Sequence, residues 1–168
     1  MLGIISATHM RHGVACPMLS RRSILYGSIA LILPGCGGPD GPGSILISAS
    51  AEPGMNPGSN GEERPIILTV VQLKSAGAFE AADFYALQDP AAVLGGDLLV
   101  TEQVPLAPEA TAEKLMSLEP DATMLGVIAG FRDPAGKIFR ITQPTQPGEE
   151  ELPVEIKVGP TGVSFGSG

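Results

Sequence analysis

The chain is 168 residues long, with 18 acidic residues against 10 basic ones, a formal net charge of −8, two histidines, two cysteines and no tryptophan. Arg11, Arg21 and Arg22 precede Cys36 and every acidic residue follows it, so residues 36–168 hold seven basic against 18 acidic side chains and neither histidine. Such a segment lacks the basic face that phosphate binding needs, and it has no residues for Ser-His-Asp or Cys-His catalysis, for histidine or thiolate zinc sites, or for internal disulfides.

Translation starts at Met10 and Met18 are both open besides Met1, and a start at Met18 places Arg21 and Arg22 near the N-terminus. An apolar run from Ile24 to Leu33 follows, broken only by Gly27 and Ser28. At ten residues it falls well short of the roughly 20 needed to cross a bilayer. The order basic, apolar, small is that of a signal peptide. Leu33-Pro34-Gly35-Cys36 resembles the bacterial lipobox, in which the thiol takes a diacylglycerol and cleavage makes the cysteine residue one. Pro34 departs from that motif, and the competing reading is a buried N-terminal strand with a free thiol. Ser20 to Leu25 also looks like a twin-arginine export signal. Either export route ends outside the cytoplasm.

This divides the chain into a signal peptide at 1–35, a lipidated flexible tether at 36–43 and a domain at 44–168. Gly37 to Gly43 is glycine, proline and one aspartate, which cannot pack; fully extended it reaches about 25 Å. Ile45, Ile47, Ala49 and Ala51 alternate with polar or exposed positions and predict a first strand. Pro53 to Glu63 reads as an irregular exposed loop held between strands, the best candidate for a contact surface. Pro65 to Leu73 is apolar on both faces and β-branched, as in a central strand.

The period then changes. Phe79, Ala82 and Ala86 predict one short amphipathic helix ending before Pro90. Asp83, Asp89 and Asp97 lack the dense spacing of a calcium loop and read as solvated charges. Asp97 to Val104 predicts a strand, and local propensity favours helix over Ala110 to Leu118, since a strand there would put Lys114 on the face of Ala112, Met116 and Leu118. Leu125, Val127, Ala129 and Phe131 form one strand face, with Gly126 and Gly130 opposite for close packing. Asp133 to Gly136 turns the chain back into a partner strand from Lys137 to Thr142. Leu152 to Val158 alternates, with Pro153 marking an edge or a strand start, and Val163 and Phe165 belong to a short last strand. Many short strands and little helix predict a β-sandwich.

In order and spacing these pieces resemble a known family. The first strand, the Asn56-Pro57 loop, Val71-Gln72-Leu73, Phe79, Asp83 to Leu87, Leu94-Gly95, Asp97-Leu98-Leu99 and Gly126 to Asp133 together are similar to the outer-membrane lipoproteins of the type VI secretion system (TssJ, VasD or Lip). Phe139 stands where a tryptophan is expected. The resemblance implies a mainly β, transthyretin-like sandwich of about eight strands with a short helical insertion, and it makes Thr111 to Leu118 a strand against local propensity. It also implies a non-catalytic, cofactor-free protein lipidated at Cys36, held in the outer membrane and facing the periplasm. Its partner would be the periplasmic domain of the inner-membrane protein TssM, with TssL in the same complex. Asn56, Pro57, Gly58 and Asn60 are the partner contacts carried over. The alternatives are an envelope lipoprotein that binds a small ligand or peptidoglycan, and a carboxylate hydrolase using Glu149, Glu150 and Glu151, whose Pro-Gly surroundings offer nothing to raise a carboxyl pKa.

Overall fold

The computed structural model describes residues 43–145 and 151–166. The signal segment, Cys36, the tether up to residue 42, Glu149 and Glu150 lie outside them. The described residues form eight strands: β1 (Ser44–Ala51), β2 (Ile66–Leu73), β3 (Leu98–Leu106), β4 (Thr111–Ser117), β5 (Met124–Ala129), β6 (Arg140–Pro144), β7 (Glu151–Gly159) and β8 (Gly162–Phe165). They make two four-stranded sheets, in the orders β4-β1-β7-β8 and β3-β2-β5-β6. All pairs are antiparallel except β1 with β7.

Alternation puts Ile45, Ile47 and Ala49 of β1 and Val154, Ile156 and Val158 of β7 on one inner face. Ile66, Leu68 and Val70 of β2 and Leu125, Val127 and Ala129 of β5 line the other, and the two faces bury each other. The second faces of β2 and β5 are apolar for a different reason. Val71, Leu73 and Ile128 pack against Phe79, Leu87 and Leu94 of the insertion between β2 and β3, which forms a separate small core on the outside of that sheet.

That insertion corrects the expected single helix. It is a chain of short turns: α1 (Gly77–Ala81), a 3-10 turn at Ala86–Gln88, α2 (Pro90–Leu94) and a further 3-10 turn at Gly95–Asp97. Helix α1 stops because Ala82 is extended, at φ −71° and ψ 146°, and because the Arg140 guanidinium of β6 donates to the carbonyls of Glu80 and Ala82. Two aspartates then restart the chain. Asp83 Oδ1 accepts from the Ala86 N–H at 2.8 Å and Asp89 Oδ1 from the Ala92 N–H at 3.3 Å. Asp89 caps α2 with Pro90 in its first turn, so this proline opens a helix where it was expected to follow one.

Local propensity also fails over Ala110 to Leu118. Residues 111–117 are β4, paired in register with β1 from Ser50↔Thr111 to Ser44↔Ser117. The misplaced lysine is accommodated because β4 is an edge strand: Lys114 Nζ reaches Glu102 Oε2 of β3, an edge of the other sheet, at 3.1 Å. Strand β7 is interior, against one of the two positions Pro153 allowed, and Pro153 stands near its start. Strand β8 pairs only with Ile156 to Gly159. The Glu155 carbonyl faces that side, accepting from the Gly166 N–H; Pro153, two residues earlier, points its nitrogen the same way, where no neighbouring strand needs a donor. Strand β6 begins at Arg140, three residues later than expected.

One buried polar side chain links the layers. Gln72 is fully buried, donating to the Ser117 carbonyl at 2.7 Å and accepting from the Glu119 N–H at 2.7 Å. Gln72→Leu keeps the volume and orphans both main-chain groups. The expected cost is about 1–3 kcal/mol for each group left unpaired, read as a lower urea midpoint with an unchanged m value.

Candidate interaction surface

The strand directions sort the connections into two ends. Gly43 enters β1 at the end where the β2–β3 insertion and the β4–β5 connection lie, and its carbonyl accepts from the Leu118 N–H at 2.6 Å. Strand β1 delivers the chain to the opposite end, about 25 Å away for eight residues. The β1–β2, β3–β4, β5–β6 and β7–β8 connections gather there: Ala51 N–H bonds the Ala110 carbonyl, Glu52 N–H the Val158 carbonyl and Ile138 N–H the Thr161 carbonyl.

The β1–β2 loop is less irregular and less exposed than its composition suggests. Met55 is fully buried in the main core and Asn56 is 5% exposed. Asn56 Nδ2 donates to the Pro65 carbonyl at 3.1 Å, and its Oδ1 accepts from the Arg132 N–H at 2.9 Å. The Arg64 N–H returns to the Asn56 carbonyl at 3.2 Å. Asn56 therefore works inside the protein, its side chain joining its own loop to the β5–β6 connection.

The other three candidates sit on a tight hairpin. Pro57 and Glu63 form an isolated antiparallel bridge. Gly58 N–H bonds the Glu62 carbonyl at 2.8 Å and Gly61 N–H the Gly58 carbonyl at 2.9 Å. Asn60 Nδ2 donates to Glu62 Oε2 at 2.6 Å, and its Oδ1 accepts from the Glu62 N–H at 3.3 Å. Pro57 and Asn60 are exposed and Gly58 is half-buried. The glutamates nearest this surface are spent on the loop itself, Glu63 Oε2 accepting from the Asn56 N–H at 3.4 Å.

Two residues that build this end escaped the sequence reading. Lys137 Nζ donates to the Met55 carbonyl at 3.0 Å and the Pro160 carbonyl at 2.7 Å, and lies 5.0 Å from the Phe131 ring centroid. Gly162, at φ +132°, lets the β7–β8 turn press on the β5–β6 connection, since a Cβ there would lie 2.3 Å from the Ile138 oxygen. A lysine after a turn carries no sequence signal. The Gly-Pro-Thr-Gly run marks the turn but not what it touches.

A depression of about 110 Å³ on the outer face of the β3-β2-β5-β6 sheet is lined by Ile67, Thr69, Leu87, Gln88, Gln103, Ile128 and Gly130, none of them charged. Among the described residues no three His, Cys, Asp or Glu side chains come together as a metal site.

Residues 44–161 match the profile of the family described as type VI secretion lipoprotein, VasD, EvfM, TssJ. Among solved structures the chain is similar to Serratia marcescens Lip, a membrane-bound component of the type VI secretion system, with 28% identity and a TM-score of 0.70 over 75% of this chain and 99% of that one. It is also similar to the type VI lipoprotein TssJ1 of Pseudomonas aeruginosa, with 28% identity and a TM-score of 0.68 over 75% of this chain and 96% of that one. A chain of a solved type VI membrane complex shares the fold at 24% identity, with a TM-score of 0.67 over 74% of this chain and 98% of that one. No curated protein matches the sequence significantly.

Proposed function

The chain belongs to the type VI secretion lipoprotein family, and on that premise we propose that it anchors the secretion system's membrane complex at the outer membrane. In this reading Cys36 carries the lipid in the inner leaflet and the domain faces the periplasm. The loop end holds the periplasmic domain of the inner-membrane protein TssM, with TssL in the same complex. The role is mechanical and non-catalytic.

The observation that carries the reading is the separation of the two ends. Gly43, which continues toward Cys36, enters beside the insertion, while Pro57, Gly58 and Asn60 stand at the far end of β1. A chain that enters at one end and a contact at the other leave the loop end free for a partner while the tether runs toward the membrane.

The test is recovery of TssM from envelope membranes by wild type and by a variant with residues 57–60 replaced by Gly-Ser, Asn56 being left in place to hold the loop base. Recovery is expected to fall at least about tenfold, the loss of about 1.4 kcal/mol that one good contact supplies, with membrane residence unchanged. Full recovery would show that the contact lies elsewhere.

A further inference from the structure

An interface of ordinary size buries about 1,200–2,000 Å², more than one short hairpin presents. Resting on the partner reading above, we propose that the contact is made by three segments forming one rigid surface, 57–63, 132–138 and 160–161. Lys137 is the positioning residue that joins them, and Ile138 is the apolar anchor offered to a pocket on the partner protein.

Lys137 ends on main-chain carbonyls from two other connections, Met55 on the β1–β2 loop and Pro160 on the β7–β8 turn, while standing on the β5–β6 connection itself. Three donors on one ammonium allow this. The Asn56 to Arg132 bond adds a second tie between the first two segments. Loops fixed in this way lose little further freedom when a partner binds, and that saving appears as affinity.

Ile138 is 57% exposed, and single exposed apolar side chains are ordinary. Its backbone is not. The N–H donates to the Thr161 carbonyl at 3.0 Å and the carbonyl accepts from the Val163 N–H at 2.8 Å, with Gly162 packed directly against it. A large apolar side chain is thus displayed on a main chain whose N–H and carbonyl are both held by the β7–β8 turn. The other large apolar side chains exposed among the described residues, Ile67, Leu115 and Tyr85, lie on strand faces or on the insertion.

The experiment uses the purified full-length lipoprotein in detergent and the periplasmic domain of TssM from the same bacterium. Lys137→Met keeps an unbranched apolar stem and removes the ammonium. Amide exchange at Gly58, Gly61 and Val163 of the free protein should quicken at least about tenfold, and affinity should fall by about the same factor. Lys137→Arg, which keeps donors at that position, should recover part of both losses. Ile138→Ser should weaken binding at least about tenfold with exchange unchanged. Weaker binding by Lys137→Met without faster exchange would make Lys137 a direct contact and overturn the positioning role. Unchanged affinity of Ile138→Ser removes the anchor. If wild type does not bind TssM, the partner reading fails, and exchange in Lys137→Met still decides whether the three segments are joined.

Discussion

Cys36→Ser is expected to shift the protein from the membrane to the soluble periplasmic fraction and to leave the secretion complex without this hold on the outer membrane. Among the described residues no helix is long and apolar enough to cross a bilayer. Residues 36–168 carry seven basic against 18 acidic side chains, so anionic headgroups repel the domain. In the proposed scheme attachment rests on acyl chains, each buried CH₂ contributing about 0.8 kcal/mol, and a single chain is marginal where several together are stable. If Cys36 carries them as proposed, removing its thiol removes them all at once. The measurement is fractionation of the envelope with a carbonate wash. Cys36→Ser persisting in the washed pellet would overthrow the lipoprotein anchor. The proposed contact is made by residues of the folded domain and not by the lipid, so the released variant should still capture the TssM periplasmic domain in solution, which separates loss of anchoring from loss of contact.

The strands that run through the sandwich were legible because burial imposes a period of two. Ile45, Ile47 and Ala49, or Leu125, Val127 and Ala129, have one face and one solution. Strand β4 was not legible locally, because Ala112, Glu113, Lys114, Leu115 and Met116 are all good helix formers and only pairing with β1 decides against helix; the family resemblance carried that information where propensity did not. The insertion was misread for a related reason. The spacing of Phe79, Ala82 and Ala86 suits a helix, yet the guanidinium that takes the carbonyls ending it comes from Arg140, far along the chain. At the loop end the sequence drew attention to Asn56 for exposure, and the structure uses it for the opposite, a buried side chain with both ends bonded. Lys137 and Ile138 had no signal, since what they do depends on which turns fold beside them.

Phe79→Ala is expected to lower the free energy of unfolding by about 3–5 kcal/mol, a large part of the roughly 5–15 kcal/mol typical of a domain. Phe79 is fully buried at the centre of the outer core, with Val71, Leu87 and Ile128 in the same cluster. Its ring lies over Gly126 so closely that a Cβ there would stand 2.9 Å from Phe79 Cζ and 2.9 Å from Val71 Cγ2. The ring cannot retreat easily, because Arg140 holds the carbonyl of the next residue, Glu80. Gly126→Ala should therefore cost about 1–3 kcal/mol by overpacking, even though alanine suits a strand better than glycine. The two losses should not add. Phe79→Leu withdraws the far ring atoms and leaves only the Val71 contact to be relieved, so Gly126→Ala should be milder by about 1 kcal/mol in the Phe79→Leu background. Urea unfolding of the four proteins measures this coupling. Strict additivity would mean that the glycine makes room for Val71 or serves the strand and not the ring.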